Sequence, residues 1–596
     1  MKGITAGLSG TARSSTPLRS GCKKLLFFPV IVLIAALLIF ATSEDSEAKS
    51  KPGYFKLHRD YGDHALSDLE LLGKYVFFDK ISVPPRMACV TCHEPTTGGT
   101  GTDSDVNLHQ VAITGANPHT VGSLKPPTNA YATFIEPLHP CNTGGLGRRN
   151  VCGGNFWDGR AEGNLDPMFP DGATKHIGDE IFYTTDGMDL EVIREGVREY
   201  ALYFGPVADQ ALNPMPNPVE QNIPRQAVCE HVKEENYGEL YERVWGVEID
   251  CSDDPVLYQA SDVEEEKAFD ISFKRLMLAV TAWQASEDLN SFSSRRDIAL
   301  RAELACACEN PENAEYPGDE VCEEIPKRNN PLVCIHPDYQ NSPGDFPLVG
   351  LSDEENLGHD LFYGIASELN FDGKNANCGT CHSDNPPAPG PAGGVGDTGA
   401  ELLQLYAADD YHNIGTPPNP EIPLTFNSDG IPIDPDLGLA GHAGSDYPPG
   451  FFKTPTLRNV DKRKDAEFVK AYTHNGWFKS LESLVHFYNT AAMQEDLDRL
   501  PPFFPPELRE KKHDVTRCAP EITTEADALA NNCWPAPAYG GGAIPFLLGN
   551  LGLTEEEEAA IVAYMKTLTD YHTARAPKPY KKSKHHKSPG PFVRFR

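Results

Sequence analysis

Cys89-Val90-Thr91-Cys92-His93 and Cys378-Gly379-Thr380-Cys381-His382 decide the reading of this 596-residue chain. Two thiols at this spacing can add across the two vinyl groups of a haem, and the histidine that follows is then held against the iron. Zinc is the rival, because two CxxC pairs can combine into four tetrahedral ligands. A zinc site has no need of a histidine directly after the second cysteine, and here one follows both times. The pattern predicts two covalently bound haem c groups, one on Cys89, Cys92 and His93 and one on Cys378, Cys381 and His382.

Outward from the motifs, the chain repeats itself. Ser67-Asp68-Leu69-Glu70-Leu71-Leu72-Gly73-Lys74-Tyr75-Val76-Phe77-Phe78 precedes the first motif. Ser352-Asp353-Glu354-Glu355-Asn356-Leu357-Gly358-His359-Asp360-Leu361-Phe362-Tyr363 precedes the second, 285 positions later. Both read as capped amphipathic helices. Closing helices are predicted over Phe273 to Ala285 and over Glu555 to Leu568, the latter capped by Thr554 with Glu557 as its partner. Pro/Gly-rich loops (Pro386 to Gly396, Pro417 to Pro435, Pro501 to Pro506) separate the helices, and long strand patterns are missing. The expected fold is mostly α, with two cytochrome c-like haem domains in tandem, long loops and insertions. The boundaries expected are 49–345 for the first domain and 346–575 for the second. A basic, disordered tail is expected over 576–596.

Charge and cysteines place the chain. The formal charge is −34, and the five basic residues of 1–24 and seven of 578–596 leave the body near −46. Such a body repels phosphate, which excludes nucleic acid as a partner. The apolar run Leu25 to Ala41 lies between Lys23-Lys24 and an acidic stretch, the pattern of an export signal. Residues 1–48 read either as a cleaved signal peptide or as a single membrane anchor. The location expected is the periplasm, with anchoring to the inner membrane as the variant. Of 15 cysteines, setting aside Cys22 and the four in the motifs leaves ten. An even number in an exported chain suggests disulfides, with Cys141/Cys152, Cys229/Cys251 and Cys518/Cys533 the close pairs. A Cys-rich segment spans 306–334.

The chain resembles the bacterial di-haem cytochrome c peroxidases and their relative MauG over roughly residues 60–570. The resemblance is carried by Leu72-Gly73-Lys74-Tyr75-Val76-Phe77-Phe78-Asp79, Phe156-Trp157-Asp158-Gly159-Arg160 and Tyr411-His412-Asn413-Ile414-Gly415. It continues through Phe452-Lys453-Thr454-Pro455-Thr456-Leu457-Arg458-Asn459-Val460 and His474-Asn475-Gly476. It implies that peroxide reacts at the N-terminal haem, whose proximal ligand would be His93. The family's distal Gln and Glu, ten residues apart, match Gln210 and Glu220. The 53 residues from Trp157 to Gln210 exceed the family's usual spacing, so an insertion is expected at about 162–203. Trp157 matches the tryptophan that carries electrons between the haems. His109, sixteen residues after His93, reads as a surface or core histidine rather than a ligand. His412 has no assigned role.

The C-terminal haem would have His382 as proximal ligand. Typical family peroxidases place a Met fourteen residues after the His of the His-Asn-Gly motif, and here that position is Tyr488, the MauG-like choice. A phenolate favours ferric iron, whereas a thioether favours ferrous. Met493, five residues on, is the alternative sixth ligand. The family's calcium is held partly by an Asn where this chain has Lys125. An ammonium supplies positive charge but cannot ligate a cation, so Lys125 is read as replacing calcium, which stays an open cofactor.

Three functions follow from the resemblance and the residues. The first is a cytochrome c peroxidase-type oxidoreductase. It would reduce hydrogen peroxide with electrons from a small cytochrome c or cupredoxin, entering at the C-terminal haem and passing to the N-terminal one. The second is a MauG-like oxidation of a protein or organic substrate through high-valent haem, which Tyr488 favours. The third is electron transfer alone, against which Gln210 and Glu220 argue.

Overall fold

A reciprocal cap opens each repeat. Ser67 Oγ accepts the Glu70 N–H at 3.2 Å while Glu70 Oε2 accepts the Ser67 N–H at 2.7 Å. Ser352 and Glu355 do the same at 3.3 and 2.7 Å. Each cap stabilises its helix by about 1 kcal/mol and fixes its first turn. The helices that follow are Asp68–Phe78 and Asp353–Tyr363. In this computed structural model the described residues are 66–141, 150–163, 205–256, 266–300, 323–325, 333–335, 347–348, 350–382, 404–423, 437–443, 447–503, 505–540 and 548–581. The export signal, most of the 162–203 insertion, the loop 386–396 and the cysteines at 306, 308 and 322 lie outside them.

Asp68–Phe78 packs on Ala268–Gln284, and Asp353–Tyr363 packs on Glu555–Lys566. Each pair crosses at a glycine of the repeat. A Cβ on Gly73 would sit 1.8 Å from Ala279 O, and one on Gly358 would sit 1.9 Å from Ala560 O. The backbones approach so closely that only hydrogen fits at the crossing. Around the first crossing lie Leu72, Val76, Phe77, Leu276 and Trp283; around the second, Leu361, Phe478, Phe487, Trp534 and Ile561. The second closing helix bears the expected cap, Thr554 with Glu557. The first begins at Ala268, five residues before the predicted Phe273, and has no side-chain cap. Its start is set by burial against the core rather than by a local signal, which is why the sequence placed it late.

Helices Arg225–Glu234, Glu239–Trp245 and Leu481–Thr490 complete the frame. Among the described residues strands are two or three residues long and form five two-stranded ladders, in keeping with the mostly helical expectation. All three close cysteine pairs, Cys141–Cys152, Cys229–Cys251 and Cys518–Cys533, are disulfides.

The described residues, which lie within 66–581, fall in one compact unit. Within it, Arg458 donates to Asp297 at 2.8 and 3.0 Å, Tyr131 donates to Asp570 at 2.7 Å, and Lys470 donates to Thr97 O at 2.7 Å. These bonds tie the two halves together. Of the stretch expected as a tail from 576, residues through Lys581 are described, and Tyr580 holds them against the first half. Tyr580 meets the Tyr75 ring edge-on, and Tyr75 donates to Lys578 O at 2.5 Å. Tyr580, partly buried against the first core, outweighs the basic composition around it; residues 582–596 lie outside the described set. No helix among the described residues is long and apolar enough to cross a membrane.

The glycine crossing yields a stability prediction. Gly358→Ala will lower the melting temperature by several degrees, consistent with about 1–3 kcal/mol of overpacking. Gly441→Ala, where the nearest atom is Leu437 Cβ at 3.8 Å, will not. Thermal unfolding followed by circular dichroism separates the two; equal behaviour would show that the crossing is not tight.

Candidate functional site

Both CxxCH motifs form a single 3-10 turn, Cys89–Thr91 and Cys378–Thr380, which points the following histidine back over the turn. His93 Nδ1 lies 3.0 Å from Gly99 O, and His382 Nδ1 lies 2.9 Å from Tyr406 O. A carbonyl only accepts, so each Nδ1 carries the proton and each Nε2 keeps its lone pair. Burial holds both imidazoles below the ordinary histidine range, His382 at about 4, so the neutral, ligating form prevails at neutral pH. The four motif cysteines are free and half-buried. Burial pushes the Cys89 and Cys378 thiols up to about 12. Among the described residues no three His, Cys, Asp or Glu side chains converge as a metal site. Paired thiols, a fixed tautomer and an apolar surround fit a covalent haem at each motif.

Glu220 lies close enough to the first motif that its charge raises the thiols of Cys89 and Cys92. Burial raises its own carboxyl above the usual range, opposed by a 2.7 Å hydrogen bond from Asn217 Nδ2 and by the charge of Arg160. Arg160 is fixed by Asp158 at 2.9 Å to both carboxylate oxygens and by the Phe156 ring. Gln210 lies in the last turn of the short Pro206–Ala211 helix, half-buried. Successive turns join it to Glu220, and no hydrogen bond links the two side chains. Gln221, not singled out by the sequence, donates to Cys89 Sγ at 3.6 Å and leaves its buried Oε1 without a hydrogen-bond partner among the described residues.

Trp157 is buried between the halves. Its Nε1 donates to Lys125 O at 2.8 Å, and its carbonyl accepts from Lys453 N–H at 2.9 Å. Lys125 N–H in turn donates to His474 O at 3.0 Å, and the Trp157 and His474 rings meet edge-on at 6.4 Å. Lys125 is itself buried, with Nζ donating to Thr100 Oγ1 at 2.7 Å and Pro126 O at 3.3 Å; burial lowers its pKa to about 7.

At the second motif, Tyr488 projects from Leu481–Thr490. Burial, then the charges of Cys381 and Cys378, raise its phenol above the ordinary range. Its hydroxyl has no hydrogen-bond partner among the described residues. Met493 is buried in the same apolar cluster, just past that helix. His412 Nε2 lies 2.8 Å from Asp410 Oδ2 and beside Cys381, which raise it to about 10 against the opposing effect of burial. His109 is exposed, 3.8 Å from Asp105, in keeping with a surface histidine. The sequence missed the two carbonyls that set the imidazoles. The Gly98-Gly99 pair, at φ of 78° and 74°, was an available signal for one; Tyr406, at φ of 53°, offered none.

Residues 67–305 match the model of the di-haem cytochrome c peroxidase family. Over that stretch the chain resembles that family. The chain is 24% identical over 509 residues, 84% of its length, to the methylamine utilization protein MauG of Paracoccus denitrificans (strain Pd 1222), covering 88% of that protein. Among solved structures it is similar to the diheme peroxidase BthA from Burkholderia thailandensis E264, at 19% identity and a TM-score of 0.47, with 86% of this chain and 88% of that one covered. A MauG-like protein associated with microbial copper homeostasis gives 17% identity and a TM-score of 0.43, over 87% of this chain and 95% of that one.

The raised carboxyl of Glu220 sets a pH dependence. If Glu220 takes up a proton during turnover it must start ionised, so activity with peroxide will fall as pH drops through a pKa above 4.5. Glu220→Gln will slow turnover on the order of a hundredfold or more and abolish that acid limb. A pH–rate profile of both proteins, with haem content verified, decides it; an unchanged limb in the variant would remove Glu220 from the proton step.

Proposed function

We propose that the chain is an exported di-haem peroxidase that reduces hydrogen peroxide with electrons from a small redox protein. The observation that carries this reading is Glu220, a half-buried carboxylate beside the first thiol pair, held by Asn217 and with its pKa raised. Reduction of hydrogen peroxide takes two electrons and two protons to give two waters, and the chain must move a proton between the two oxygens. Glu220, held by Asn217, is placed to accept and return that proton, and Gln210 would orient the peroxide. When bound, the haems would supply an iron position open to peroxide at the first motif and an electron-accepting iron at the second. Trp157, fixed at both its indole N–H and its carbonyl, would carry electrons from the second half to the first. Lys125, only partly protonated at neutral pH because burial lowers it to about 7, would supply part of the positive charge that the family takes from calcium. The export-type N-terminus and the three disulfides support a periplasmic location.

A second reading, oxidation of a protein or other large organic substrate, is favoured by Tyr488 beside Cys378 and Cys381. A phenol whose hydroxyl has no hydrogen-bond partner among the described residues, and whose ionisation is suppressed by burial, gains a phenolate form only against a strong cation, such as ferric iron. Met493 as the ligand would favour the first reading.

Steady-state oxidation of a reduced small cytochrome c by peroxide, set beside oxidation of organic substrates, tests the function; failure with both leaves electron transfer alone. Tyr488→Met will raise the reduction potential of the second haem, because a neutral thioether replaces an anionic oxygen. A spectroelectrochemical titration that finds that potential unmoved would exclude Tyr488 as the ligand.

A further inference from the structure

Phe371 is the most exposed of the large apolar side chains among the described residues, at 88%, and Leu369 beside it is 38% exposed. Isolated apolar residues on a surface need no explanation, but this pair is presented by a loop with little freedom to fold it away. The loop is built around buried Asn370, whose Nδ2 donates to Ile365 O and Lys374 O at 2.8 Å and whose Oδ1 accepts the Lys374 N–H at 3.0 Å. Ser367 Oγ accepts the N–H groups of Leu369 and Asn370 at 3.0 Å and donates to Asp360. Gly373, at φ of 60°, turns the chain back to donate to Asn370 O. The same strand of chain then runs into Cys378. An aromatic side chain held out by a braced loop immediately before the second haem motif is a preformed anchor, since little ordering entropy remains to be lost on binding.

The rim of this anchor is acidic. Glu368 and Asp372 flank it and are exposed. Lys374, the nearest cation in the loop, is neutralised by Glu557 at 2.8 Å. That ion pair brings up the first turn of the closing helix, where Glu555 and Glu556 are exposed. An apolar centre inside an acidic rim, on a body of strongly negative charge, complements an apolar patch ringed by lysine or arginine.

We propose that Leu369 and Phe371, with the acidic rim of Glu368, Asp372, Glu555 and Glu556, form the docking surface for a small basic electron-donor protein. The inference rests on the peroxidase reading for the word donor, but the surface is testable without it. The partner delivers one electron per encounter to the second haem, and its own redox centre is oxidised by one electron. Docking is brief, steered by charge and centred on Phe371.

The test uses the full di-haem protein and a small basic cytochrome c as probe. Binding is measured by calorimetry for the native protein, Phe371→Asp and the double charge reversal Glu368→Lys/Asp372→Lys. Peroxide-driven oxidation of the reduced cytochrome and of a small organic reductant is measured in parallel. Phe371→Asp should weaken binding and lower kcat/KM for the cytochrome on the order of tenfold. Oxidation of the organic reductant and both haem spectra should stay unchanged. The charge reversal should weaken binding most at low salt. Unchanged cytochrome binding in both variants, or no binding by the native protein, would overturn the proposal. So would a dimer that Phe371→Asp dissolves, because the face would then be covered by a second copy. If the cytochrome binds through Phe371 but neither reductant is oxidised, the docking surface stands and the peroxidase reading falls.

Discussion

A buried imidazole whose Nδ1 proton is committed to a main-chain carbonyl is the constraint on which both halves are organised. Gly99 O serves His93 and Tyr406 O serves His382, at 3.0 and 2.9 Å. The bond fixes the ring plane and the tautomer together, so the Nε2 lone pair of each imidazole faces the place where an iron would be held. Both carbonyls belong to residues at positive φ, so the backbone is bent specifically to deliver them. The first helix of each pair, crossing its partner at Gly73 or Gly358, also packs against the thiol turn that follows it.

The halves are then joined by cations rather than by a single apolar face. Arg458 is fully buried, with both Nη atoms on Asp297 and Nε on Gln404 O at 2.6 Å. Lys470 gives its ammonium to three carbonyls, those of Thr97, Asn459 and Lys462. Buried ion pairs add little net stability, yet removing one partner costs about 3–5 kcal/mol, because the other charge is left uncompensated. Such contacts hold one relative placement of the halves. Trp157 lies in this seam, bonded through Lys125 to the turn that carries His474, and its proposed role depends on that fixed placement.

The helices around the haem motifs were legible because their signals are local. Ser67 with Glu70, Ser352 with Glu355 and Thr554 with Glu557 are reciprocal caps written within four residues, and the three disulfides join near neighbours in sequence. The start of Ala268–Gln284 was not legible, since tertiary burial and no cap determines it. Nor was the packing of Tyr580 on Tyr75, because composition near the end of the chain speaks for solvent while one aromatic ring decides otherwise. At the site, thiols and histidines announce themselves by spacing, and Glu220, Trp157 and Tyr488 were picked out by resemblance to a family. Gln221, Tyr406 and the Phe371 loop were not, because their placement arises from contacts between segments that the sequence does not pair.

The central claim is that each CxxCH motif carries a covalently bound haem. Intact-mass spectrometry of the mature protein under denaturing conditions tests it most directly, because thioether bonds survive unfolding and coordinate bonds do not. The account predicts a chain heavier by two haems, reduced to one when Cys378 and Cys381 are both replaced by Ala. A mass equal to the bare chain, or one raised only under native conditions by a metal ion, would contradict it.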